Sequence, residues 1–226
     1  MTSPFKLNKR PAGRHDLVFV SPNGWRGLLA ARDDLAAEPL VARWCDQGWP
    51  MIRRRAMPDE PWGVPLGLPL PPSAGKRRLS FLLQPHNIIS IARPPLLSAA
   101  ARSAPPAWWP TLGRLDELAL RHSVEARVFG SLAWRTLTGL DYLTGRSDLD
   151  LLLDVHRDTD LDRLAAGVAD IESNAPMRLD GELMRDDGAA VNWREFHAAA
   201  SEVLVKRIDG IVLLDKSLFI SGKTIA

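Results

Sequence analysis

Two short stretches constrain the fold of this chain more than any others. They are Phe129-Gly130-Ser131 and, sixteen residues further on, Asp148-Leu149-Asp150. The run Ala126–Gly130 reads as a strand, Ser131–Leu140 as a helix and Ser147–Val155 as a second strand. Side chains alternate faces along a strand, so Asp148 and Asp150 share one face and Leu149, Leu151 and Leu153 the other. Two neighbouring carboxylates repel and raise each other's pKa unless a cation sits between them. Magnesium, a hard ion that prefers oxygen ligands, suits the pair. Such an ion can bridge a phosphate and activate an attacking hydroxyl. The Gly130-Ser131 turn opens a helix, whose N-terminal amides suit phosphate. A further strand, Met177–Met184, carries Asp180 and Glu182 on one face, with Leu179 and Leu183 on the other. Asp180 is the expected third carboxylate and Glu182 its rival.

The rest of the chain falls on either side of a proline-rich break. Seven prolines lie between Pro50 and Pro72, and five between Pro94 and Pro110. Proline lacks an amide donor and disfavours helix before it, so neither region is expected to be regular structure. The reading is an N-terminal basic α+β domain over 1–93, a Pro-rich linker over 94–110 and a catalytic domain over 111–226. In the first, Asp16–Val20, Met51–Arg55 and Arg78–Gln84 read as strands. Ser21–Trp25 reads as an Asn-Gly turn, and Asp33–Gly48 as one or two short helices broken at Pro39. In the last, Leu112–Ser123 and Thr159–Ser173 have helical periodicity. Asp186-Asp187-Gly188 marks a hairpin between Met177–Met184 and Ala189–Trp193, a short helix follows Asn192, and Val203–Asp215 holds one or two strands. The alternation of helix and strand argues a mixed sheet with flanking helices.

Charge divides along the same break. Residues 1–104 hold 15 Lys+Arg against 7 Asp+Glu, and residues 105–226 hold 14 against 20. A basic half beside an acidic half suits one part that holds anions and another that holds a cation. In the basic half Arg53, Arg54, Arg55, Lys76, Arg77 and Arg78 are candidates for phosphate or for an acidic partner. Lys206 is a candidate phosphate ligand in the acidic half. The single cysteine, Cys45, excludes an internal disulfide and a zinc–thiolate cluster. The five histidines show no chelating spacing. No apolar run approaches a membrane span, and the basic N-terminus lacks the apolar run of a signal peptide. A cytoplasmic protein is expected. Trp108-Trp109 offers either packing or a surface that stacks on adenine.

Gly130-Ser131, Asp148-x-Asp150 and Asp180 together resemble the nucleotidyltransferase superfamily that includes DNA polymerase beta. That resemblance covers about residues 112–215 and implies transfer of a nucleotidyl group to a hydroxyl with release of pyrophosphate. Flanking residues bring a closer likeness that spans most of the chain. Arg14-His15-Asp16, Pro65-Leu66-Gly67-Leu68-Pro69, Val128–Trp134, Leu137–Leu140, Ser147–Leu152 and Val203–Lys206 look like the phosphoribosyl-dephospho-CoA transferases, the holo-acyl-carrier-protein synthases of malonate decarboxylase. The resemblance implies a nucleotidyltransferase-like α+β fold. It implies triphosphoribosyl-dephospho-CoA as donor and a serine of the apo acyl-carrier subunit as acceptor. Magnesium would be held by Asp148, Asp150 and Asp180, and phosphate by Gly130, Ser131 and Lys206. Neither nucleic acid nor membrane is an expected partner. A nucleotidyltransferase acting on another small-molecule, nucleic-acid or protein hydroxyl is the alternative.

Overall fold

The first unit begins with a strand, β1 (Leu17–Val20), that runs directly into a helix, α1 (Pro22–Leu29). The expected Asn-Gly turn is the first turn of this helix. Ser21 is extended and its Oγ accepts from Gly24 N at 3.0 Å, with Pro22 at the first helical position. An N-cap serine followed by proline initiates a helix and overrides the turn preference of Asn23-Gly24. The computed structural model describes residues 13–36 and 38–222. The basic residues 1–12, read above for a leader, lie outside the described residues. Short helices α2 (Asp33–Ala36) and α3 (Pro39–Ala42) follow, separated before Pro39 as the sequence predicts.

Strands β2 (Met51–Arg53), β3 (Val64–Pro69), β4 (Arg78–Leu83) and β5 (Ile88–Ala92) complete an antiparallel sheet in the order β4-β3-β2-β1-β5. Strand β3 corrects the expectation of irregular structure in this proline-rich region. Its Pro65 lies just past the last β2–β3 pair, Arg53 with Leu66. The Pro65 carbonyl accepts from Arg54 N at 3.2 Å and from Arg53 Nη1 at 3.0 Å. A strand residue's amide and carbonyl point to the same side, so the missing N–H falls where β2 has ended and no ladder bond is lost. Leu66 and Leu68 bury fully on one face of β3.

The chain divides at Pro94 into two compact units, Met1–Pro94 and Pro95–Ala226. The segment 94–110 is therefore not a linker. It carries helix α4 (Leu97–Ala100), and Leu97, Ala100, Ala104 and Trp108 lie in the second unit's core. Prolines here start short helical turns instead of breaking them, and helix α5 (Trp109–Arg121) has Pro110 in its first turn. Trp108 packs inside while Trp109 is exposed.

Helix α5 buries Leu112, Leu115, Leu118 and Ala119, the predicted stripe. Then follow β6 (Glu125–Val128), α6 (Gly130–Thr138), β7 (Leu149–Val155), α7 (Leu161–Glu172), β8 (Leu179–Arg185), β9 (Ala190–Asn192), α8 (Trp193–His197), β10 (Glu202–Lys206), β11 (Ile211–Asp215) and α9 (Lys216–Ser221). They build a six-stranded sheet in the order β11-β10-β9-β8-β7-β6. Strands β7 and β8 are parallel, joined through α7, and the other pairs are antiparallel. The fold is α+β, with two sheets and flanking helices. Leu149, Leu151, Leu153, Leu179 and Leu183 belong to the large core with residues of α5 and α7. The other sheet face carries a small apolar cluster, Leu152, Met184 and Ala190, with Phe129 against it. No helix among the described residues is long and apolar enough to cross a membrane.

Candidate active site

The face of β7 and β8 turned away from the large core carries the acids. In the parallel register Asp150 stands opposite Asp180, and Leu152 opposite Glu182. Neighbouring strands lie about 5 Å apart, so the half-buried side chains of Asp150 and Asp180 start side by side. Leu149 and Leu151 beside Asp150, and Leu179 beside Asp180, fill the core on the other face and fix this orientation.

The turn after β6 brings Gly130 onto Asp150. Phe129 N donates to the Asp150 carbonyl at 3.0 Å. Gly130 then adopts φ +61°, a conformation that favours glycine. A Cβ at Gly130 would collide with the Asp150 carboxylate. Two independent requirements thus exclude a side chain here. Helix α6 begins at Gly130 with Ser131 in its first turn, and its N-cap residue Phe129 supplies no side-chain cap.

Asp148 lies one residue before β7, so the strict alternation predicted from the sequence does not reach it. Asp180 Oδ1 accepts from Asn192 Nδ2 at 3.0 Å. Among the described residues, no three His, Cys, Asp or Glu side chains are gathered in metal-binding geometry. The structure therefore brings Asp150, Asp180 and Gly130 together and leaves Asp148 at the start of the strand. The donor chemistry, carboxylate oxygens on a half-buried face, fits magnesium better than a soft metal.

Glu182 and Lys206 differ from expectation. Glu182 is only 5% exposed, and Lys206 Nζ donates to its Oε1 at 3.0 Å from across β9. Lys206 thereby neutralises a buried carboxylate of its own sheet, where the sequence reading gave it a phosphate. Of the two rival acids, Asp180 is the one opposite Asp150.

Arg53, Arg54 and Arg77 of the first unit's basic runs are likewise engaged. Arg53 Nη1 donates to the Arg54 and Pro65 carbonyls, and burial pushes its pKa down. Arg54 forks onto Glu60, whose carboxyl this bond holds below the usual range. Arg77 pairs with Glu38 at 2.6 Å.

Several supporting residues carried no sequence signal. Asn192 also caps α8 by accepting from Arg194 N at 3.0 Å. Glu172 accepts from Leu179 N at 2.8 Å and from both terminal nitrogens of Arg194. Those bonds lower the Glu172 pKa, the Arg194 bond most. They tie the end of α7 to the residue preceding Asp180. On the same sheet face Arg127 pairs with Asp154 at 3.3 Å and with Glu125 at 2.7 Å. The Asp180–Asn192 and Arg127–Asp154 pairings depend on strand register, which residue types do not reveal. Near the N-terminus, His15 has φ +66° and the Asp16 carboxylate accepts from Gly13 N at 2.7 Å. Arg14-His15-Asp16 thus forms the turn that leads into β1.

Residues 13–94 match the N-terminal domain, and residues 95–217 the C-terminal domain, of phosphoribosyl-dephospho-CoA transferase MdcG. The chain belongs to the phosphoribosyl-dephospho-CoA transferase family. It is a transferase by that membership. The phosphoribosyl-dephospho-CoA transferase of Bradyrhizobium diazoefficiens is 66% identical over 224 residues, covering 99% of each chain. That of Xanthomonas campestris pv. campestris (strain 8004) is 36% identical over 207 residues, covering 91% of this chain and 95% of the relative. The enzyme of Xanthomonas axonopodis pv. citri is 35% identical over 217 residues, covering 95% of this chain and all of the relative. No solved structure matches significantly. The two family domains meet where the two structural units divide, between Pro94 and Pro95.

Proposed function

We propose that this chain transfers the phosphoribosyl-dephospho-CoA group from 2′-(5″-triphosphoribosyl)-3′-dephospho-CoA to a serine of the apo acyl-carrier subunit of malonate decarboxylase, in the cytoplasm. The observation that carries the reading is the pair Asp150 and Asp180 across β7 and β8, with Gly130 turned onto Asp150. The family supplies the transferred group. The likeness to nucleotidyltransferases supplies the roles.

Asp148, Asp150 and Asp180 would hold magnesium, which would supply charge to offset the phosphates and to lower the pKa of the attacking hydroxyl. The serine oxygen forms a bond to the phosphorus attached to the donor ribose. The bond from that phosphorus to the β-phosphate oxygen breaks, and pyrophosphate leaves with the electron pair. Asp180 takes the serine proton while Asn192 steadies its other oxygen. The Gly130 turn lets phosphate approach the backbone, and the first amides of α6 with Ser131 bind the terminal phosphates.

Among the described residues, neither Cys45 nor any histidine lies in the motif of Gly130, Ser131, Asp148, Asp150 and Asp180, so neither offers a covalent nucleophile there. Cys45 is buried in the first unit and its thiol is pushed up to about 12 by desolvation, which suppresses the reactive thiolate. The reaction is a single in-line displacement and inverts a chirally labelled phosphorus. The test is incubation of the full chain with donor, magnesium and apo carrier subunit, followed by the carrier's mass. An increase equal to the phosphoribosyl-dephospho-CoA group is expected. An unmodified carrier, or a bare nucleotidyl adduct, overturns the reading.

A further inference from the structure

We propose that a groove in the first unit, between α1 and the edge strand β4, binds the pantetheine arm of the dephospho-CoA group. The inference rests on the donor assigned above and assigns a place to the part of it farthest from the chemistry.

The groove has a volume of about 760 Å³ and is lined only by residues of the first unit. That volume falls within the range of small-molecule sites. Leu28, Phe81 and Leu82 give it apolar walls, and Asn23, Gln84 and Asn87 add neutral amides. Its two arginines are already neutralised. Arg32 forks onto Asp34 at 2.8 and 2.9 Å, and Arg54 forks onto Glu60. A groove with this balance of charge favours a neutral chain over a phosphate.

Its shape points to an extended, amide-bearing ligand. Five consecutive residues, Ser80 to Gln84, line it. Side chains alternate along a strand, so a single sheet face would contribute every second residue. The groove therefore follows the main chain, and β4 is the outermost strand of its sheet. An outer strand presents amides and carbonyls along its free side, and extended peptides bind such edges through main-chain hydrogen bonds. Pantetheine is a neutral, flexible chain with two secondary amides and resembles a short peptide. The flat adenine at the other end of dephospho-CoA would use little of such an edge.

Gly27 adds an independent sign. It lies inside α1 without a positive φ, and a Cβ there would meet nothing within 4 Å. Glycine inside a helix costs about 1 kcal/mol relative to alanine. Here it serves no backbone need and leaves the groove open.

The experiment titrates the full chain with pantetheine, adenosine and 3′-dephospho-CoA separately, followed by ligand-observed NMR. Gly27→Phe places a ring in the open groove. Gly113→Phe, at a helical glycine of α5 that also has open space around it, controls for a bulky substitution. The wild type and Gly113→Phe are expected to bind pantetheine and dephospho-CoA. Gly27→Phe should weaken both at least tenfold and leave adenosine binding unchanged. Ser80→Trp, on the opposite wall, replaces Gly27→Phe if that variant fails to fold. Pantetheine binding that is undetectable in the wild type, or insensitive to both wall variants, overturns the proposal. So does a selective loss of adenosine binding. None of these titrations needs a carrier protein, so a failure of carrier labelling would sink the acceptor assignment and leave this result standing.

Discussion

At the residue scale the site rests on Asp150, and Asp150→Asn is the sharpest probe. It keeps the shape of a half-buried side chain and removes the negative charge that would hold the magnesium opposing the transferring phosphate. Transfer should fall at least a thousandfold, the several kcal/mol expected for charge stabilisation of a transition state, while the melting temperature stays within a few degrees. Near-normal turnover would remove Asp150 from the catalytic set. Lys206 gives the contrasting case. Lys206→Met removes the ammonium that Lys206 places on Glu182, which is 5% exposed. Breaking a buried pair costs about 3–5 kcal/mol, less here because Lys206 is partly exposed. The variant should therefore lose about 2 kcal/mol in chemical denaturation, and Glu182→Gln added to it should restore part of that. A change confined to the donor KM would return Lys206 to phosphate binding. The sequence makes Asp150 and Asp180 legible because alternation with buried leucines fixes their face. It could not assign Lys206, because its partner lies two strands away and only the register of β8, β9 and β10 brings them together.

At the scale of elements, the misread segments show which local preference prevails. Ser21-Pro22 starts α1 where Asn23-Gly24 suggested a turn, since the cap and the proline act on the same helix end. Ser21→Ala should cost about 1 kcal/mol, read as a lower midpoint in denaturant with an unchanged slope. In β3 the expected break fails because Pro65 falls beyond the last β2 pair, a matter of register that proline content does not express. The junction of α7, β8 and α8 depends on Glu172. Its folded pKa is depressed below the ordinary glutamate value, chiefly by Arg194. The contribution is therefore present above the unfolded pKa and lost as pH falls through the lower folded value. Arg194→Ala should flatten this acid limb, so wild type and variant converge in melting temperature below about pH 4 and diverge above it. An equal difference at all pH values would show that Arg194 acts through packing on Trp193.

At the scale of the whole molecule, the boundary between the units carries a consequence for how the chain can be cut. The sequence reading starts the catalytic part at residue 111, because five prolines between Pro94 and Pro110 argue against regular structure there and the charge changes sign. In the structure the second unit starts at Pro95, and the segment from there is woven into it. Val128 N donates to the Pro95 carbonyl at 2.9 Å, and Leu96 bridges to Arg127. Leu97, Ala100, Ala104 and Trp108 then fill the core beside α5. Burying these four side chains contributes about 6 kcal/mol, taking about 2–3 kcal/mol for each large one and less for each alanine. That equals the whole stability of many domains. A fragment spanning 95–226 should thus unfold cooperatively on heating and show near-ultraviolet circular dichroism from its packed tryptophans. A fragment spanning 111–226 should lack both and expose apolar surface to a hydrophobic dye. Equal melting of the two fragments would mean that the proline-rich segment is dispensable and that the core closes without it. The longer fragment retains Gly130, Asp148, Asp150 and Asp180 but not the groove beside β4. It should therefore keep a fold without efficient transfer, and its residual activity should no longer distinguish a donor with a pantetheine arm from one without.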